Sequence, residues 1–242
     1  MHRFYCPDID TTRTLNEEES RHCVRVLRLA EGDSIEVVDG RGNLHECRIT
    51  LAHQKHCAVD IVDTRHEQPH WGHQLVLGVA PTKHLDRMEW MVEKCVEMGV
   101  DRIVPLRCKN SERTELKADR LRKIAVAAMK QSLKATLPDI DDITPLGNLL
   151  SAPWNGDRFM AYCDAELPLE QRNILPKRCQ AGRDVMVLIG PEGDFSPDEV
   201  ETAMKAGFEP VTLGKSRLRT ETAAVMACAM IHTIDLVNET MQ

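Results

Sequence analysis

The sequence contains no Cys-x-x-Cys pair and no stretch approaching the ~18 consecutive apolar residues of a membrane span. Its opening, MHRFYCPDID, lacks the apolar run of a signal peptide. The nine cysteines are odd in number and scattered, at positions 6, 23, 47, 57, 95, 108, 163, 179 and 228. Such a set argues against a disulfide framework or a zinc ribbon and fits reduced thiols used as small buried apolar residues. A soluble cytoplasmic protein with no metal and no membrane partner is expected. Also missing are Gly-x-Gly-x-x-Gly and Gly-x-Ser-x-Gly, the signatures of dinucleotide binding and of serine hydrolases. Gly214-Lys215-Ser216 imitates the end of a phosphate-binding loop, but Glu209 stands where that motif needs glycine, which excludes an NTPase.

What is present is an ordinary globular composition, 42% hydrophobic and 29% charged, over 242 residues. That length admits one large or two unequal domains with a core that needs no staples. The net charge of −7 opposes indiscriminate coating of DNA. The charge is uneven, however. Between Asp101 and Lys123 stand eight basic residues against four acids, and Arg21, Arg25 and Arg28 follow the acidic run Glu17 to Glu19. Each group reads equally as a solvated helix face or as a contact for structured RNA.

Residues 1–68 read as a small, mostly β unit. Asn16 is placed to cap a short helix whose first turn is acidic. SIEVV (34–38), the turn Asp39-Gly40-Arg41-Gly42 and LHECRITL (44–51) predict a hairpin, and HCAVDIVD (56–63) a further strand. Residues 67–72 read as a linker. Six of the ten histidines precede it, and none joins cysteine in a zinc-motif spacing. From residue 73 to 242 the pattern alternates between strand and helix. Strands are expected at 74–80, 102–106, 159–163, 185–190 and 210–213. Helices are expected after residue 83, with Gly99 at the end, and over 117–135 and 221–237. This alternation predicts an α/β fold with a mostly parallel sheet, whose ligands bind beyond the carboxyl ends of the strands.

Two strand ends carry the candidate chemistry. In IGPEGDFSPDEV (189–200) the strand stops at Ile189, a Gly190-Pro191-Glu192-Gly193 loop follows, and Ser196-Pro197-Asp198-Glu199 is a capping box with proline at the first helical position. Taken alone, that loop is either a plain strand-to-helix turn or a ligand cradle. In LGKSRLRTETAA (213–224), Arg219 opens an otherwise apolar helix, where it opposes the helix dipole. Such a placement hints at a reason outside local stability.

Together these segments resemble the SPOUT superfamily of methyltransferases, and within it the RsmE family, which methylates N3 of a uridine in small-subunit ribosomal RNA. The resemblance covers nearly the whole chain. HCVRVLRLAEGDSIEVVDGRGN (22–43) is similar to that family's N-terminal PUA-like RNA-binding domain, and KHLDRMEWMVEKCVEMGVDRIVPL (83–106) to the opening of its catalytic domain. LGKSRLRTETAA is the most specific signal. Two departures are visible. Asp194 stands where the family more often has a second glycine, and Leu133-Lys134 where it commonly has Gly-Arg.

The resemblance implies a small PUA-like β-barrel domain followed by a parallel sheet ending in a C-terminal trefoil knot. It implies S-adenosylmethionine (S-adenosyl-L-methionine) as cofactor, held by loops after the strands ending near Cys163, Ile189 and Leu213. Gly190, Pro191, Glu192, Gly193, Gly214, Leu218, Thr220 and Thr222 complete the implied cofactor set. Arg25, Arg28, Lys83, Arg113 and Lys134 are the implied RNA contacts. The substrate would be small-subunit (16S) ribosomal RNA or the assembled small subunit, and the protein a homodimer. Excess apolar surface on the last helix (Ala223, Ala224, Met226, Ala227, Met230, Ile231) also points to that assembly.

Methyl transfer from a sulfonium needs chiefly alignment and charge handling. Uridine N3 is a poor nucleophile until its proton is lost. Arg219 is the candidate to stabilise the developing imide anion. Glu221 is either the base or the group that orients Arg219. Rival readings are another SPOUT reaction, at a ribose 2′-oxygen or at guanosine, and a ribosome-assembly factor that binds RNA without catalysis.

Overall fold

The computed structural model describes residues 2–69, 71–162 and 172–239. It divides into two compact units. One contains residues 1–69 together with 126–137, and the other residues 70–125 and 138–242.

The first unit is built on a four-stranded sheet in the order β1 (Arg3–Tyr5), β2 (Ser34–Val38), β3 (Asn43–Leu51), β4 (Ala58–His66). The expected hairpin is β2–β3, antiparallel with Val38 opposite Leu44, and β1 lies parallel to β2. At its turn Gly40 and Gly42 adopt φ of 80° and 96°, which glycine reaches without steric cost. The buried Asp39 carboxylate fastens the turn, accepting from the backbone N–H of Arg41 (2.7 Å) and of Asn43 (3.1 Å). Two short helices, α1 (Ile9–Thr12) and α2 (Glu17–Arg21), cover the core of Phe4, Ile9, Leu15, Ile35, Val37, Ile49 and Val59. Asn16 caps α2 by accepting from Glu19 N–H at 2.9 Å. A π-helical turn (His22–Val26) follows and leaves Arg25 and Arg28 exposed. Residues 126–137 join this unit through the Lys130–Glu19 ion pair, the Arg3 guanidinium on Leu133 C=O, and Gly42 N–H on Ala135 C=O at 3.1 Å.

The sequence His66-Glu67-Gln68-Pro69-His70 has the spacing of a helical zinc-peptidase motif. His66 ends β4, however, and residues 67–69 are not helical, so the helix face that motif needs is not formed.

The second unit is a parallel sheet in the order β11 (Glu209–Val211), β9 (Asp157–Ala161), β10 (Val185–Ile189), β5 (Leu75–Val79), β6 (Arg102–Arg107), β7 (Asp139–Ile140). β8 (Thr144–Pro145) also pairs with β6. Val185 is in register with Leu75 on one side and Asp157 on the other. Every residue of β5 and of β10 is buried, as a parallel sheet covered on both faces requires. The helices are α3 (Leu85–Met98), the first part of α4 (Ala118–Gln131, whose residues from 126 on belong to the first unit), α5 (Leu146–Leu150), α6 (Leu175–Arg178), α7 (Pro197–Lys205) and α8 (Thr220–Glu239). α3 buries Met88, Met91, Val92 and Cys95 and ends on Gly99 at φ 103°. Each such apolar side chain contributes ~1.5–3 kcal/mol.

α8 is long and apolar enough over Thr220–Asn238 to cross a membrane, by length and composition only, but half of it is buried inside the fold against α3, β5 and β10. The eight cysteines among the described residues are all buried. Burial pushes the thiols of Cys47, Cys108 and Cys179 up to about 12, so these three stay protonated at neutral pH.

The strand pattern of 73–242 was legible as α/β, and the parallel sheet and N-terminal β unit have that architecture. The loop after β9, which the implied knot involves, falls in 163–171 and lies outside the described residues.

Candidate active site

Because every strand of the large sheet runs the same way, the loops after β5, β6, β10 and β11 leave the same edge. The loop after β10 begins where Ile189 C=O accepts Ala80 N–H at 3.0 Å. Gly190 approaches the Phe195 ring so closely that a Cβ would lie 3.1 Å from it. Pro191 is buried, while Glu192 and Gly193 are exposed. Asp194 turns the chain at φ 60°, a left-handed conformation that aspartate tolerates and glycine suits. Its side chain accepts Phe195 N–H at 2.8 Å, and burial pushes its pKa up. The expected capping box is formed: Glu199 Oε2 accepts Ser196 N–H at 2.8 Å, and Ser196 Oγ accepts Glu199 N–H at 3.4 Å.

Neighbouring loops fix this one from outside. Asn110, after β6, donates its side-chain amide to the carbonyls of Gly193 (3.1 Å) and Asp194 (3.0 Å). Glu192 accepts the backbone N–H of Lys83 at 3.1 Å. Arg113 donates to the carbonyls of Thr82 (3.3 Å) and Lys83 (2.8 Å), and Lys83 pairs with Glu112 at 3.1 Å. Lys83, Arg113, Glu192 and Gly193 are thereby brought together, each already engaged in shaping the loops.

The start of α8 closes on the same loop. Thr220, buried, donates its hydroxyl to Gly190 C=O at 3.1 Å. Glu221 is 6% exposed, and its carboxylate lies 3.7 Å from the Arg87 guanidinium of α3. Arg219 is exposed and Thr222 half-buried. Before them, the half-buried Leu213 and Leu218 flank an exposed Gly214 at φ 135° with nothing within 4 Å of where a Cβ would stand. Cys163 lies outside the described residues.

Arg25, Arg28 and Lys134 belong to the first unit, with Arg25 and Arg28 exposed and Lys134 half-buried. Within the basic stretch 101–123, Arg102 pairs with Asp141, Arg120 with Glu89, Arg122 with Asp119 and Asp142, and Lys109 with Asp198. Much of that stretch is therefore neutralised by the protein's own acids.

Residue-by-residue reading missed Arg87 and Asn110. Arg87 is one of several charges on an amphipathic helix, and Asn110 is a loop amide. Nothing in local pattern separates either from its neighbours.

The RNA methyltransferase domain family matches residues 69–232, and the RNA methyltransferase PUA domain matches residues 15–62. The chain is 44% identical to a probable rRNA-methyltransferase from Porphyromonas gingivalis, whose crystal structure it covers completely with 98% of its own length at a TM-score of 0.93. It is 28% identical to a ribosomal RNA small subunit methyltransferase E from Neisseria gonorrhoeae bound to S-adenosyl methionine, with 97% and 98% of the two chains covered and a TM-score of 0.82. A ribosomal RNA small subunit methyltransferase E from Synechocystis is 29% identical over 231 residues, 93% of this chain and 74% of that one. The chain belongs to the RNA methyltransferase family, among the relatives that carry the name ribosomal RNA small subunit methyltransferase E.

Proposed function

We propose that this enzyme transfers a methyl group from S-adenosylmethionine to N3 of a uridine in small-subunit ribosomal RNA, in the cytoplasm and as a homodimer. The observation that supports it best is the closure of the first turn of α8 on the loop after β10. The Thr220–Gly190 hydrogen bond holds a buried carboxylate, Glu221, and an exposed guanidinium, Arg219, beside the glycine-bearing strand ends.

The residues present suit the cofactor. Leu213 and Leu218 offer apolar surface to an adenine, and Gly214, with open space at its Cα, lets backbone approach closely. Ile189, Gly190, Pro191, Glu192, Gly193, Thr220 and Thr222 form the rest of that rim, with Cys163 assigned from the resemblance alone. The cofactor, when bound, supplies an activated methyl sulfonium.

The chain's own residues handle the acceptor. Arg219 faces solvent and is free to meet the uracil, where its charge stabilises the anion left as the N3 proton departs. Glu221 accepts that proton, directly or through water. Its carboxylate pairs with Arg87, which counts against a role as the orienting partner of Arg219. Arg25, Arg28 and Lys134 on the first unit, and Lys83 and Arg113 on the second, contact RNA phosphates.

Of the α8 residues expected to supply apolar surface, Ala224, Ala227 and Ile231 are buried within the fold, and the dimer reading draws instead on Met226 with Trp90, Leu236 and Val237, which are between 37% and 52% exposed. Sedimentation at micromolar concentration tests it, and a monomer refutes it.

Single-turnover methylation of small-subunit RNA and of assembled subunits, with mass spectrometry of the product nucleoside, tests the reaction. The expected product is N3-methyluridine. Methyl on a ribose or on guanosine would assign the neighbouring chemistry instead. Absence of S-adenosylmethionine binding by calorimetry would leave only an RNA-binding role.

A further inference from the structure

At the opposite end of the large sheet from the cofactor loops, three metal-ligating side chains from remote positions meet. His73 lies two residues before β5, and His232 and Asp235 lie on one face of α8 at i and i+3. All three are buried, and one donor atom from each lies within 4.8 Å of the other two. The His73 and Asp235 side chains are only 2% and 9% exposed.

Their contacts leave two atoms aimed at each other without a bond. Asp235 uses Oδ1 to accept Gly182 N–H at 3.0 Å. Its Oδ2 lies 3.6 Å from His73 Nε2, beyond hydrogen-bond reach, and neither atom has a hydrogen-bond partner among the described residues. Buried polar atoms are rarely left so. A separation of 3.6 Å is close to the ~3.3 Å between two ligands of one tetrahedral ion at bond lengths of ~2.0–2.1 Å. His232 is oriented by stacking on Trp71, centroids 4.1 Å apart and planes 10° from parallel, and its ring centroid is 6.1 Å from that of His73. The carboxylates of Asp101 and Asp184, which hold the backbone N–H groups of Leu75 and Gln74, add negative charge nearby.

We propose that His73, His232 and Asp235 form a binding site for one divalent transition ion, zinc in the first instance, with water as fourth ligand. Imidazole and carboxylate are the donors zinc prefers besides thiolate, and Gly182 N–H supplies the outer contact that fixes the carboxylate. The ion would join the chain entering β5 to α8. Its place at the amino end of β5, away from the loops that leave the carboxyl ends, makes it a structural staple with no part in methyl transfer. No local motif joins these three ligands, because His73 and His232 stand about 160 residues apart in the chain and meet only in the fold.

The test uses the full chain stripped with chelator. Zinc titration by calorimetry is expected to show one site per chain and a raised melting temperature. Asp235→Asn, which keeps the shape and the contact to Gly182, is expected to weaken zinc at least a hundredfold while the metal-free variant still melts cooperatively. His73→Gln provides a second variant if the first does not fold. Cobalt(II) substitution of the wild type separates donor sets independently of any variant. Visible d–d bands without near-ultraviolet sulfur-to-cobalt charge transfer support the site, and thiolate charge transfer overturns it. No stoichiometric binding to the wild type, or binding unchanged in both variants, also overturns it.

Discussion

Glu221 Oε1 lies 3.7 Å from Arg87 Nε, so the buried carboxylate at the start of α8 is tied to α3 and not to Arg219, two residues before it in the chain. This arrangement separates the two charges on which the proposed reaction depends. Arg219→Ala is expected to lower the single-turnover rate ~100- to 1,000-fold, the usual loss when a preorganised charge-stabilising donor is removed. Arg87→Ala and Glu221→Gln are expected to be strongly non-additive, since each removes one half of the same pair, whereas Arg219→Ala adds to either. Additivity between Arg87 and Glu221 would show that the pair does not act as a unit. If Glu221 is the base, raising the pH partly restores Glu221→Gln, and it does not restore Arg219→Ala.

Thr220→Val removes the hydroxyl that binds Gly190 C=O while keeping the shape of the side chain. A hydrogen bond of this kind contributes ~0.5–1.5 kcal/mol, so S-adenosylmethionine is expected to bind about 2- to 12-fold more weakly. Calorimetry reads this directly. Unchanged affinity would mean that the loop holds its form without the bond.

Most of the architecture could be read from periodicity. The capping box at Ser196, the hairpin at Gly40 and Gly42, and the strands around Leu75–Val79 and Val185–Ile189 each obey a local rule, and each forms. Local rules could not show that residues 126–137 pack with the N-terminal unit, because Lys130 reaches Glu19 across more than a hundred residues. The very short strands β7 and β8 carry too few residues for a period to appear. At the site, Arg219, Glu221 and Gly190 announced themselves by unusual residue types at helix and strand ends. Arg87 and Asn110 became visible only through what they touch.

Leu133 adopts φ 56° and is 60% exposed, a conformation that glycine reaches without steric cost. The left-handed conformation costs a side-chain-bearing residue ~1–2 kcal/mol, against the ~0.5–1 kcal/mol that glycine loses in chain entropy. Leu133→Gly is therefore expected to leave stability unchanged or raise it slightly, and Leu133→Val to lower it. Melting temperatures of the two variants check the order. A large loss in Leu133→Gly would mean that the leucine side chain contributes packing its exposure does not suggest.

Burial of Asp39 works against its charge, but hydrogen bonds from Arg41 and Asn43 outweigh it and hold the carboxyl below the ordinary carboxylate value. A folded pKa below the unfolded one binds fewer protons in the native state than in the unfolded one. The stabilisation is thus fully present above the unfolded value, ~3.9, and is lost as pH falls through the lower folded value. Asp39→Asn is expected to melt below the wild type at pH 7, with the gap narrowing below about pH 4. A gap independent of pH would assign the effect to lost hydrogen-bond geometry alone.

Arg25 and Arg28 are exposed on the first unit and take part in no ion pair among the described residues, unlike Arg102, Lys109, Arg120 and Arg122 of the basic stretch 101–123. They are accordingly open to meet RNA phosphate. Each phosphate neutralised releases condensed counterions, which lowers the slope of log affinity against log salt by ~0.7–0.9. Arg25→Ala with Arg28→Ala is expected to weaken binding to small-subunit RNA and to flatten that slope by ~1.4–1.8 in total. The loss should be similar for RNAs of different sequence, because phosphate contacts position the partner without reading its bases. S-adenosylmethionine affinity should stay as in the wild type, since the assigned cofactor residues all belong to the second unit. Arg28 already stands at φ 58°, so alanine there adds little strain beyond what the arginine bears. A cooperative melt near that of the wild type would establish that the double variant is folded. With that control in place, an unchanged salt slope would remove both arginines from the RNA surface and move the search to Lys83, Arg113 and Lys134.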